Sequence, residues 1–161
     1  MLNSYWLVLP FILQMLGMAA DEFRFHRKRG LPRWEKIGHP LDTLTVVACL
    51  VWILCVKPVH HAVLVFLLLA VFSCLFITKD EPVHRIRCSA AEQWLHAVLF
   101  ILHPIVLASA ALLWPGGSLG MVRLGGFEKT FLNLILLIMA GFGAYQFVFW
   151  NLLWDRKRTA G

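Results

Sequence analysis

Five apolar blocks, separated by short polar segments, leave this chain little choice of fold. They cover residues 4–20, 41–56, 62–78, 91–114 and 130–154. A bilayer's hydrocarbon core needs roughly 20 helical residues to cross it, whereas a surface helix of a soluble protein keeps a polar face. Here the apolar residues run without a polar stripe, most purely over residues 62–78. Hydrophobic residues make up 60% of the chain and charged ones 15%, where a soluble domain holds about half and about a quarter. The expectation is an all-α, polytopic membrane bundle of about five transmembrane helices, forming one domain over residues 1–161. Residues 1–6 carry no positive segment of the kind that opens a signal peptide, so the first block is read as a span.

The basic residues set the expected orientation. Twelve of the fifteen lysines and arginines fall in the first loop, the third loop and the C-terminal tail. The positive-inside rule then places the N-terminus outside and the C-terminus in the cytoplasm, in a plasma or inner membrane. Trp6 and Trp114 would lie near the outer interface, and Trp94, Trp150 and Trp154 near the inner one. Pro58 cannot continue a helix, so Lys57-Pro58-Val59-His60-His61 reads as a tight turn joining the second and third spans. The Gly-rich segment 115–126 reads as a flexible outer loop.

The net charge of +6 does not point to nucleic acid, because the basic residues sit between spans, where lipid headgroups are met. Arg27, Lys28, Arg29 and Arg33 are candidates for holding an anionic headgroup. Cys49, Cys55 and Cys74 lie within apolar blocks and read as small buried residues; no disulfide framework is suggested.

The acidic residues follow the same asymmetry. Eight of nine fall on the cytoplasmic side, joined by His26, His39, His84 and His96. Spacing turns this tally into pairs. Glu22 and His26 are four apart, as are Glu92 and His96, so each pair shares a helical face. Glu81 and His84 have the Glu-x-x-His spacing used in di-iron bundles. His103 continues the Glu92 face about 10 Å beyond His96. Bland roles compete for several of these residues. Ser89 and Glu92 form a capping box, Asp42 suits a helix start after Pro40, and Asp21 and Asp80 suit a solvated interface. His96 and His103 resist such readings, since ionisable groups within a span are costly and turn toward the bundle interior.

The expected metal ligands are Glu22, His26, His39, Glu81, His84, Glu92 and His96, with Asp42, Asp80, His103 and Cys88 as outer or additional partners. Imidazole with carboxylate suits divalent transition ions, and seven donors exceed the three or four that one zinc needs. Two ions are therefore expected, iron first, with zinc or manganese as alternatives. The reading is a membrane oxidoreductase of hydroxylase or desaturase type, acting on a lipid or other hydrophobic molecule and supplied by an electron donor. A zinc-dependent lipid hydrolase, a divalent-metal carrier or sensor, and a purely structural subunit are the alternatives. The ligand set is similar in kind to that of membrane di-iron hydroxylases and desaturases. Their H-x-x-H-H and H-x-x-x-H boxes are absent, and the Glu-x-x-His of ferritin-like proteins is matched once, by Glu81–His84.

Overall fold

The computed structural model describes residues 4–116 and 127–154, and among them every regular element is helical. Helix α1 (Leu9–Ala20) runs on through a π-helical turn, Asp21–His26, into the short Arg27–Arg29. Gly30, at φ 73°, ends this segment in a conformation that only glycine adopts freely. Helix α2 is Arg33–Cys55, and α3 (His60–Phe76) continues through Ile77–Asp80 into α4 (Glu81–Arg87). Helix α5 is Ala90–Leu112, and α6 (Phe127–Val148) ends in a second π-helical turn, Phe149–Leu153.

Four helical stretches are long and apolar enough to cross a membrane: Arg33–Cys55, His60–Arg87, Ala90–Leu112 and Phe127–Leu153. Large apolar side chains such as Leu68, Leu75, Ile101 and Leu137 cover the outside, while histidines and carboxylates are buried. That inversion of the soluble pattern is consistent with a multi-pass membrane protein. At 12 residues α1 is shorter than a bilayer crossing on its own.

Several boundaries differ from the sequence reading. Helix α2 begins at Arg33, not at residue 41, so Asp42 lies more than two turns inside it and caps nothing. Its carboxylate instead takes Lys79 Nζ at 2.6 and 2.7 Å. Pro40 breaks no helix either, although it has no N–H for the Lys36 carbonyl. Asn151 Nδ2 donates to that carbonyl at 3.1 Å, sparing the about 1–3 kcal/mol that a buried orphan would cost. His60 and His61 open α3 rather than forming the turn, and both are exposed. The expected flexible loop lies mostly outside the described residues, as does the basic tail beyond residue 154.

The aromatic belt is also narrower than expected. Trp6 and Trp94 are exposed, but Trp114 and Trp150 are buried and their indole N–H groups are satisfied internally. Trp114 Nε1 donates to the Val56 carbonyl at 2.8 Å and Trp150 Nε1 to Glu22 Oε1 at 2.9 Å. The apolar core sits at the Trp114 end of the bundle, where Leu50, Ile53, Phe66, Ala110 and Leu132 pack together. Of the three cysteines expected to be buried, Cys49 is, Cys74 is partly so, and Cys55 is exposed. Helix α2 packs most extensively on α6 and α3, and α1 on α5. Each of these pairings brings a polar helix end to the opposite end of the bundle from this core.

Candidate metal centre

Four helical segments each contribute histidine and carboxylate to that polar end. On the first, the π-helical turn decides the geometry. In an α-helix, residues five apart point about 140° away from each other. The wider i→i+5 ladder brings Asp21 and His26 onto one face, and their Oδ2 and Nε2 atoms lie 3.1 Å apart. Glu22 is drawn in as well, with Oε2 3.5 Å from His26 Nδ1, as the four-residue spacing suggests. All three side chains are buried.

Helix α5 supplies the second wall. Ser89 caps it by accepting the Glu92 N–H at 3.3 Å, which is half of the expected capping box. The Glu92 carboxylate does not return to the cap. It takes Arg29 Nε and Nη2 at 3.1 and 3.0 Å and lies 3.9 Å from His26 Nε2. One turn on, His96 Nε2 donates to Asp21 Oδ2 at 3.0 Å.

The third and fourth walls come from α2 and from the junction of α3 with α4. His39 Nδ1 lies 3.8 Å from both Asp42 Oδ2 and Asp80 Oδ2. His84 Nε2 lies 3.7 Å from Glu35 Oε1, and Glu35 also takes Arg29 Nη1 at 2.8 Å. The four imidazoles lie close together: His26 stacks on His39 at 4.8 Å between ring centroids, and His84 meets His96 at 4.1 Å.

Three sets of side chains among the described residues could each hold an ion, with ligand atoms within 4.8 Å of one another. They are Asp21, His26, Glu92 and His96; His39, Asp80 and His84; and His84, Cys88 and His96. His84 and His96 are shared, so the sets form one chamber with two foci. Among the described residues, ten buried side-chain atoms of the chamber make no hydrogen bond, and five of these, Asp21 Oδ1, His39 Nε2, Asp80 Oδ1, His84 Nδ1 and His96 Nδ1, are in no ion pair either.

No known protein family, characterised protein or solved structure matches this chain. The chamber is therefore read from its own chemistry. Asp21 and Glu22 are buried, and His96 donates to Asp21 while Tyr145 and Trp150 donate to Glu22. Burial works against the Arg29 charge, but Glu35 and Glu92 raise its pKa above the ordinary guanidinium value. Burial pushes the Cys88 thiol up to about 12, so it is no ready thiolate.

Of the residues expected as metal ligands, His26, His39, His84, Glu92 and His96 fall in these sets; Glu22 lies beside His26 but in none of them, its Oε1 taken by Tyr145 and Trp150. Glu81 is exposed and outside all three sets. Its neighbour Asp80, 1% exposed, takes that place. Helix α4 starts at Glu81, so Asp80 stands four residues before His84 and shares its face, while Glu81 turns outward. Asp42 and Asp80 lie beside His39, and Cys88 falls in one set with His84 and His96. His103 lies deeper and pairs with Ser73 Oγ at 2.9 Å, itself paired with Thr45 Oγ1 at 2.7 Å. Asp21 reads from sequence as an interface charge, and it is central to the chamber. Glu35 gives no spacing signal at all, because its partners Arg29 and His84 come from other segments.

The headgroup candidates separate in the same way. Arg29 is committed to Glu35 and Glu92. Arg27 donates to Tyr145 at 3.1 Å and lies over the rings of Phe23 and Phe149. Lys28 and Arg33 are exposed.

Below the chamber lies a cavity of about 130 Å³. His26, His39, His84 and His96 line its polar end, and Phe11, Met15, Leu107 and Ile135 its far end. Gln146 on its wall pairs with Thr43 at 3.2 Å, whereas the buried Gln14 Oε1 has no hydrogen-bond partner.

Proposed function

We propose that this chain is a five-span membrane metalloenzyme whose chamber holds two divalent transition ions, iron first. The N-terminus lies outside and the chamber faces the cytoplasm, in a plasma or inner membrane. In this reading α1 and its π-helical extension make the fifth crossing. The activity is an oxidoreductase reaction on a lipid or similar hydrophobic molecule, fed by an electron donor.

The observation that carries the proposal is that, among the described residues, the buried atoms Asp21 Oδ1, His39 Nε2, Asp80 Oδ1, His84 Nδ1 and His96 Nδ1 face the chamber with neither a hydrogen-bond partner nor an ion pair. At about 1–3 kcal/mol each, these orphans would together cost as much as the whole stability of a typical domain, about 5–15 kcal/mol. Water could satisfy their hydrogen bonds but not their charge. Among the ion pairs of the described residues, six carboxylates (Asp21, Glu22, Glu35, Asp42, Asp80 and Glu92) meet Arg29 and Lys79 at the chamber, an excess of negative charge that divalent ions would offset. The His96–Asp21 bond adds support: a ligating histidine usually donates its other N–H to a carboxylate, and His96 Nδ1 is free for an ion.

Iron held there would supply electron transfer and oxygen chemistry, while the protein orients the substrate and excludes water. Loading the metal-free protein with iron-57 and recording Mössbauer spectra tests this reading. A spin-coupled iron pair, with dioxygen consumed when reductant is added, is expected. Uncoupled iron, or retention of a single zinc with ester hydrolysis, would overturn it in favour of the hydrolase. Ion flux across liposomes would favour the carrier.

A further inference from the structure

We infer that the cavity below the chamber binds one aliphatic chain, with a small uncharged oxygen head against the histidines and the tail directed into the bundle. This rests on the metal-enzyme reading and sharpens it by fixing the substrate class and the end of the chain where chemistry occurs. Fatty alcohols and aldehydes have the required form.

The cavity's two ends differ sharply in chemistry. The head end is formed by the polar groups of the chamber, including Asp21, His26, His39, Asp80, His84 and His96, so a head placed there meets the proposed ions or the side chains that would hold them. The tail end is made by Phe11, Met15, Val46, Leu107, Ile135 and Met139. Polar residues between the ends are largely spent on each other: Thr43 on Gln146, and His103 on Ser73. From His96 to Leu107 along α5 is roughly 16 Å, close to half of the about 30 Å hydrocarbon thickness. The cavity therefore matches a single chain of about a dozen carbons lying in one leaflet. Methionine thioethers at Met15, Met18 and Met139 suit it to a flexible chain, since they repack at little cost.

The direction follows from desolvation. Entering tail-first would carry a polar head to Ile135 and Met139, away from the histidines and carboxylates, with Gln14 Oε1 as the one open polar atom of the wall outside the chamber among the described residues. Entering head-up, the chain lies parallel to its leaflet neighbours. Its first carbons meet the chamber, and its last ones meet Phe11, Leu107 and Ile135. The head must be small, because Asp21, His26, Asp80, His84 and His96 are each at most 7% exposed. A phosphodiester headgroup would not fit among them.

Photo-crosslinking in lipid nanodiscs tests this without needing a metal signal. Two twelve-carbon alcohols serve as probes, one with a diazirine at the third carbon and one with it at the tail end. Head-labelled probe is expected on peptides containing His39 or His96, and tail-labelled probe on peptides containing Phe11, Leu107 or Ile135. The Met139→Trp variant, which fills the tail end, should reduce tail crosslinks at least tenfold with metal content unchanged. Ile135→Phe is the milder second variant should Met139→Trp fail to fold. Crosslinks in the reverse order, or confined to outward residues such as Leu68 and Leu137, would overturn the inference. Metal content measured on the same samples reports separately on the metal reading, so the two failures are distinguishable.

Discussion

Replacing Arg29 by alanine is expected to destabilise the metal-free protein by about 3–5 kcal/mol, the cost of leaving buried charges unpaired. Arg29 bridges two carboxylates from different segments: Glu35, which is 0% exposed, and Glu92, 3% exposed. The guanidinium fork suits that geometry, with three donors at 2.8 to 3.1 Å. Lysine, a single point charge, should recover only part of the loss. The variant also adds one uncompensated negative charge to the chamber, so divalent ions should bind it more avidly. Melting curves in detergent, with and without added metal, check both effects. The metal-free variant should melt well below the parent, and the gap between loaded and free forms should widen. A variant that melts with its parent would show that Glu35 and Glu92 do not depend on Arg29.

The second large effect is expected at His96. It belongs to two of the three ligand sets and connects the two foci. His96→Ala should weaken metal retention by more than about a hundredfold, since losing even an outer partner of a metal ligand costs 10–100-fold. Glu81→Gln should stay within about twofold of the parent, because Glu81 is exposed and its place is taken by Asp80. Equilibrium dialysis against zinc and ferrous iron, on variants whose helicity matches the parent's, gives both numbers. Equal retention in the two variants would remove His96 from the site.

The contrast between Glu81 and Asp80 shows how far sequence carries this chain. Apolar blocks long enough to cross a bilayer are visible directly, because hydropathy needs no knowledge of neighbours. Glu22–His26 and Glu92–His96 are equally visible, since a four-residue spacing holds wherever the chain is helical. Asp21 is hidden, because its alignment with His26 depends on a π-helical turn that no spacing rule announces. Asp80 is hidden behind Glu81 because the start of α4, which sets the register, is marked only by a proline one residue later. Glu35 and Arg29 are paired through tertiary folding alone. Trp114 and Trp150 look like interface anchors in sequence, and only packing shows that their N–H groups are used internally. The early start of α2 escapes notice because Pro40 resembles a boundary, and the Asn151 bond that accommodates it comes from the far end of the chain.

If the buried histidines and carboxylates exist to hold metal, the protein purified in mild detergent without added chelator should carry it, and its metal content can be measured. Close to two divalent transition ions per chain, mainly iron, are expected, falling below one in His96→Ala. A folded parent protein with no more than trace metal, and unchanged melting when iron, manganese or zinc is supplied, would contradict this expectation.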